Sequence, residues 1–144
     1  MTTSPTSTTP NADDVDYVND VAQFRQDFRC HLRALEDLAK LRSAFFDNAE
    51  AQMAHDADVI RRLYDSGWNR YGWPEDVGGF GGGTVHRAVY YAELGRAMVA
   101  IPAQQWTREV MGPALIQYAP DLARQYLPGY LAGKEWWGQG WVDS

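Results

Sequence analysis

The sequence predicts an all-α protein: an antiparallel bundle of about five helices, with a disordered tail in front and one orphan β-strand behind. Three observations carry this. Apolar residues recur in steps of three and four along most of the chain, which is the period of one helix face. Gly67, Pro102 and Pro120 sit where helices stop or start. Of 144 residues, 45% are apolar and 22% charged, an ordinary globular balance with enough apolar surface for one core.

Residues 1–14 read as the tail, because Ser, Thr, Pro, Asn and Asp cannot offset ordering entropy by burial. Val21, Phe24, Phe28, Leu32, Leu35, Leu38, Leu41 and Phe45 then form one stripe, so the first helix is expected over roughly 16–46. The polar stretch from Asp47 to Gln52 breaks or bends it. Met53, Ala57, Ile60, Leu63 and Tyr64 mark the second helix, which Gly67 ends in a left-handed cap with Trp68 packing back.

Residues 67–83 contain seven glycines, so tight turns and close backbone approach are expected there. Thr84 is the expected N-cap of a third helix with Val85, Ala88, Val89, Ala92 and Met98 or Val99 facing inward. Pro102 opens the fourth helix, which Pro113 should kink or restart. Pro120 opens the fifth, interrupted at Pro128 and closed near Gly133. In Trp136–Val142 aromatic and β-branched residues alternate, which reads as a strand whose partners must come from elsewhere. No repeat of solenoid length is present.

Thirteen basic and 19 acidic side chains give a net charge of −6. Such a balance argues against nucleic acid as a partner, since phosphate-backbone binding needs a basic stripe. A single cysteine, Cys30, excludes an internal disulfide and fits a reducing compartment. With neither a signal-peptide pattern nor a membrane-length apolar run, the expected location is the cytoplasm. No metal site is expected: His31, His55 and His86 stand far apart and lack ligands at metal spacing.

The glycine-rich loop could in principle cradle phosphate, but no Lys-Ser or Lys-Thr follows it and no strand precedes it, so a structural turn is expected. No serine stands in a nucleophile-elbow context. Glu36-Asp37 and Glu75-Asp76 are sequence neighbours, hence divergent, and read as solvated carboxylates rather than an acid/base dyad. The aromatic content, six Trp, eight Tyr and five Phe, is left for core, interface or a flat cofactor.

Six segments in order carry a resemblance: Tyr64–Trp68, Trp73–Gly79, Ala92–Ala97, Gly112–Ile116, Tyr126–Pro128 and Gly133–Trp136. Together they resemble the N-terminal helical domain of the acyl-CoA dehydrogenase family over roughly residues 55–144. The resemblance implies a domain over 15–134, followed at 135–144 by the start of a middle β-domain. It implies FAD as cofactor, an acyl-CoA as substrate, and a reaction in which a glutamate base removes the α-proton while the β-hydrogen leaves as hydride. That base belongs to the family's C-terminal bundle, so no catalytic residue is assigned here.

By position, Gln139, Trp141 and Val142 would approach FAD, although Val142 stands where the family places a hydroxyl residue and Asp143 where it places Glu. Gln105, Trp106 and Glu109 match the segment lining the acyl pocket, with core packing as the competing explanation. The resemblance further implies that the chain is inactive without a β-domain and a C-terminal bundle, or an equivalent partner chain, and that oligomers are possible. The alternative is a stand-alone helical module that pairs its terminal strand with a partner protein.

Overall fold

A computed structural model describes residues 12–138 and 140. Among these residues there are five α-helices and no strand: α1 (Ala12–Ala34), α2 (Ala49–Asp65), α3 (Thr84–Arg96), α4 (Ala103–Tyr118) and α5 (Pro120–Leu131). α3 packs along α1, with His86 meeting Asp20 and Glu93 meeting Arg29 further up, and α2 packs on the Leu38–Leu41 segment. α4 and α5, joined through Ala119 alone, form an antiparallel hairpin.

α1 starts at Ala12, inside the stretch read as tail, and ends at Ala34 rather than near residue 46. Its apolar stripe does not stop there, which is why the sequence suggested a longer helix. Leu35, Leu38 and Leu41 are spaced three apart, however, which is the repeat of a 3₁₀ turn, and Leu38–Leu41 adopts one. The turn is held from both sides. The Asp37 carboxylate pairs with Arg62 of α2, and Ala100 donates its N–H to the Leu41 carbonyl at 2.8 Å.

α2 begins at a side-chain cap, Asn48 Oδ1 accepting the Ala51 N–H at 2.9 Å. It ends as expected, with Gly67 at φ +87° beyond it. Trp68 then stacks on Phe28 of α1 at 4.9 Å. The first core, built on Phe24, Phe28, Leu32, Val59, Leu63, Tyr90 and Leu94, lies between α1, α2 and α3.

The inward face of α3 differs from expectation. Val89 and Val99 are buried as expected, but Val85, Ala88, Ala92 and Met98 are exposed, and the buried face of the helix is His86, Val89, Tyr90, Glu93 and Leu94. An apolar stripe missed it because two of its five residues are polar, each with a partner on α1. His86 Nδ1 accepts the Gly83 N–H at 3.1 Å, so its Nε2 carries the proton and donates to Asp20 at 2.8 Å. Glu93 meets Arg29. The cap of α3 is Gly83, with Thr84 the first helical residue.

α4 and α5 run without interruption through Pro113 and Pro128. Each proline withholds one N–H from its helix, yet neither forces a restart. Ala132 and Gly133, at φ +71°, close α5. The second core joins α5 to the glycine-rich loop through Trp73, Val77, Ala123, Leu127, Tyr130 and Leu131.

Of the strand expected over 136–142, residues 139, 141 and 142 lie outside the described residues; Trp136–Gly138 and Gly140 are irregular, and Trp137 packs on the Tyr130 ring at 4.4 Å.

Candidate functional site

The glycine-rich loop is a closed hydrogen-bonded unit. The Gly72 N–H donates to Gly81 O at 2.7 Å, Gly79 to Pro74 O at 2.9 Å, Phe80 to Arg70 O at 3.0 Å and Gly81 to Trp73 O at 2.9 Å. With these amides used internally, the loop is a self-bonded structural turn. Its purpose is to seat Trp73, which is 1% exposed. A Cβ on Gly79 would lie 1.9 Å from the Trp73 carbonyl oxygen, and one on Gly112 would lie 2.7 Å from the Trp73 ring. Two glycines in separate segments of the resemblance therefore serve one tryptophan.

Arg87 spreads its guanidinium over that indole at 4.4 Å and donates through Nη1 to Gly72 O at 2.7 Å. Its Nε reaches Glu109 Oε2 at 2.8 Å, tying α3 to α4. The other Glu109 oxygen accepts the Tyr91 hydroxyl at 2.8 Å, and that hydroxyl accepts from Arg108 Nη2 at 2.7 Å. Burial pushes the Tyr91 and Tyr90 phenols above their ordinary range, so both stay protonated and Tyr91 remains a donor. Both carboxylate oxygens of Glu109 accept hydrogen bonds. Glu109 is thus an anchor, not a free base.

In front of this network lies a cavity of about 250 Å³ lined by Tyr91, Ile101, Gln105, Trp106 and Glu109. The three pocket residues picked from the sequence, Gln105, Trp106 and Glu109, are brought together there. Tyr91 and Ile101 were missed. Ile101, Gln105 and Glu109 follow one another at intervals of four, a signal that could have found Ile101; Tyr91 comes from another helix and left none.

Tyr91, Gln105 and Glu109 have polar heads, yet the wall of the cavity is almost wholly carbon, because those heads point into the network behind. Gln105 is buried and its Oε1 accepts from Arg108 at 3.3 Å, whereas Trp106 is 72% exposed and is no part of the core. The arrangement is shaped to receive an apolar group against an aromatic wall.

Of the residues assigned to the flavin, Gln139, Trp141 and Val142 lie outside the described residues. No group of three or more His, Cys, Asp or Glu side chains that could hold a metal occurs among the described residues. His55 Nε2 donates to Lys40 O at 3.0 Å and His31 lies against Trp68 at 5.5 Å. No helix among the described residues is long and apolar enough to cross a membrane.

An all-helical unit built around a tryptophan-seating glycine turn, with an apolar cavity on its fourth helix, matches the N-terminal domain of acyl-CoA dehydrogenases over residues 26–134, and the chain belongs to that family. It is 36% identical over 84 residues to acyl-CoA dehydrogenase IpdE1 of Mycobacterium tuberculosis, a stretch covering 58% of this chain and 22% of that protein. It is 33% identical over 95 residues to IpdE1 of Mycolicibacterium smegmatis, covering 62% of this chain and 24% of the relative. Identity to acyl-CoA dehydrogenase FadE29 of M. tuberculosis is 34% over 86 residues, 59% of this chain and 22% of that protein. The matched region thus spans less than a quarter of these relatives' length. No solved structure matches the chain.

Proposed function

We propose that the chain supplies the N-terminal helical wall of an FAD-dependent acyl-CoA dehydrogenase, with the cavity on α4 receiving the acyl part of the substrate. The observation that carries this is the convergence of Tyr91, Ile101, Gln105, Trp106 and Glu109 on one carbon-walled cavity in a chain of this family. The family generally uses FAD, which supplies the hydride acceptor when bound. The amides of Gly72, Gly79, Phe80 and Gly81 are taken by loop carbonyls, and the residues we assign to the flavin, by position alone, are Gln139, Trp141 and Val142. What the cavity residues can do is hold an acyl group and keep water from it.

The reading also explains an exposed apolar line along the hairpin. Trp106, Val110 and Tyr118 recur at helical spacing on α4 and are 72, 51 and 79% exposed, with Leu122 and Tyr126 continuing it on α5. A β-domain and C-terminal bundle, supplied by the rest of a full-length dehydrogenase or by a partner chain, would cover it. Without them the chain is expected to be inactive, since the family's glutamate base lies in the C-terminal bundle.

The test is complementation. The chain is co-expressed with M. tuberculosis IpdE1 lacking its own N-terminal region, and flavin retention and acyl-CoA-dependent flavin bleaching are measured. The pair should retain flavin and bleach, while either part alone should not. A chain that bleaches flavin unaided, or a pair that never does, overturns the proposal.

A further inference from the structure

Where α1 and α3 meet the Leu38–Arg42 segment, the structure gathers positive charge in an acidic chain. A groove of about 210 Å³ is lined by Arg29, Leu32, Arg33, Leu38, Arg42, Arg96, Ala97 and Met98. Four of the eight are arginines and none is acidic. Arg29 and Arg96 are engaged by the buried Glu93 carboxylate, which Arg25 also approaches at 3.7 Å. Arg33 and Arg42 have no ion-pair partner among the described residues and are exposed.

Backbone structure fixes this convergence. Arg42 forms an antiparallel bridge with Val99, and Met98 just before it sits at φ +61°, a left-handed conformation a side-chain-bearing residue seldom adopts. The bend at Met98 turns the chain leaving α3 back toward the segment that follows the Leu38–Leu41 turn, so Arg42 and Arg96 come to line the same groove. Arg33 reaches it from the last turn of α1.

We propose that this groove is an anion site for a phosphate group, held by Arg33 and Arg42 and flanked by Arg29 and Arg96. Arginine is the residue suited to it: a planar fork of donors matches two phosphate oxygens at once, and the charge persists at any physiological pH. Arg25, Arg29 and Arg96 answer the Glu93 carboxylate, and Arg33 and Arg42 line the groove without an ion-pair partner among the described residues, so the groove stays positive after Glu93 is neutralised. Its volume falls below the ~300 Å³ at which pockets for whole drug-sized ligands begin, so it holds one charged group while the rest of the ligand lies outside. Leu32, Leu38, Ala97 and Met98 give the groove an apolar side, which suits a phosphate carried on an organic body. The inference stands apart from the acyl-binding proposal: it uses none of its residues.

The full 144-residue chain is titrated with pyrophosphate by isothermal calorimetry at low salt. Saturable binding is expected, weakened at least about tenfold in R33A/R42A, partly kept in R33K/R42K, and falling as salt rises. Both substituted residues are exposed and outside the Glu93 cluster, and unchanged circular dichroism and melting temperature confirm that the variants fold. In a second arm, phosphatidylcholine vesicles with and without phosphatidic acid are sedimented with the chain. Binding to pyrophosphate assigns a soluble phosphorylated ligand, whereas Arg33- and Arg42-dependent binding only to the anionic vesicles assigns a lipid headgroup. No saturable binding in either arm up to about 10 mM phosphate groups, or binding that ignores both arginines, overturns the site.

Discussion

Arg29 on α1 grips Glu93 on α3 through both arms of its fork, Nε to Oε2 at 2.9 Å and Nη2 to Oε1 at 2.6 Å. Arg96 adds a third bond at 3.0 Å from within α3. The carboxylate is 2% exposed, so its charge tolerates burial only because these donors answer it. Glu93→Gln keeps the shape and removes the charge. It should lower unfolding stability by about 1–3 kcal/mol in urea titrations, toward the lower end because the arginines remain partly in water.

The same pair sets an acid dependence. The hydrogen bond from Arg29, reinforced by Arg96, lowers the Glu93 carboxyl from 4.5 to about 2. A depressed carboxylate stabilises the fold fully above its unfolded value, and that contribution is lost as pH falls through the folded value. Between about pH 5 and 2 the wild-type chain should therefore lose stability more steeply than Glu93→Gln. Parallel pH slopes for the two would show that the clamp contributes nothing to acid unfolding.

Trp73 makes a sharper packing prediction. Alanine at Gly112 puts a methyl 2.7 Å from the indole, which could shift, and should cost about 1–3 kcal/mol. Alanine at Gly79 puts it 1.9 Å from a backbone carbonyl, which cannot shift without breaking the loop's own hydrogen bonds. Gly79→Ala should thus be the more damaging, seen as the larger fall in melting temperature.

These residues show what was legible in advance. Helix ends written in residue type, Gly67, Pro102, Pro120 and Gly133, could be read directly, since each acts through its own backbone. The end of α1 could not. A 3₁₀ repeat continues the α-helical stripe, and the turn is fixed by Arg62 and Ala100, both remote in sequence. Buried His86, Glu93 and Arg108 were invisible for the same reason: a polar residue is tolerated inside only when a distant partner meets it. The cavity was half legible, because Gln105, Trp106 and Glu109 share one helix while Tyr91 arrives from another.

His86 fixes a tautomer that can be observed. Nδ1 accepts from the Gly83 N–H, so at neutral pH the ring should show a pyridine-like Nδ1 and a protonated Nε2 in nitrogen-15 spectra. Asp20→Asn removes the acceptor charge but leaves the Gly83 bond, and should preserve that tautomer. A reversed assignment would mean that α3 is not capped in this way.

Gln105 and Trp106 are neighbours in sequence but should separate cleanly on mutation. Gln105 is 2% exposed and accepts from buried Arg108, so Gln105→Ala strips a hydrogen bond from a guanidinium whose Nε already lacks a partner. A loss of about 1–3 kcal/mol follows. Trp106 is 72% exposed, and Trp106→Ala should leave stability within about 0.5 kcal/mol. In the complemented dehydrogenase, by contrast, Trp106→Ala removes an aromatic wall of the α4 cavity proposed to hold the acyl group. The Michaelis constant for acyl-CoA should then rise several-fold while the unfolding curve stays in place. A variant that loses stability and leaves the Michaelis constant alone would make Trp106 a packing residue and move the acyl group elsewhere.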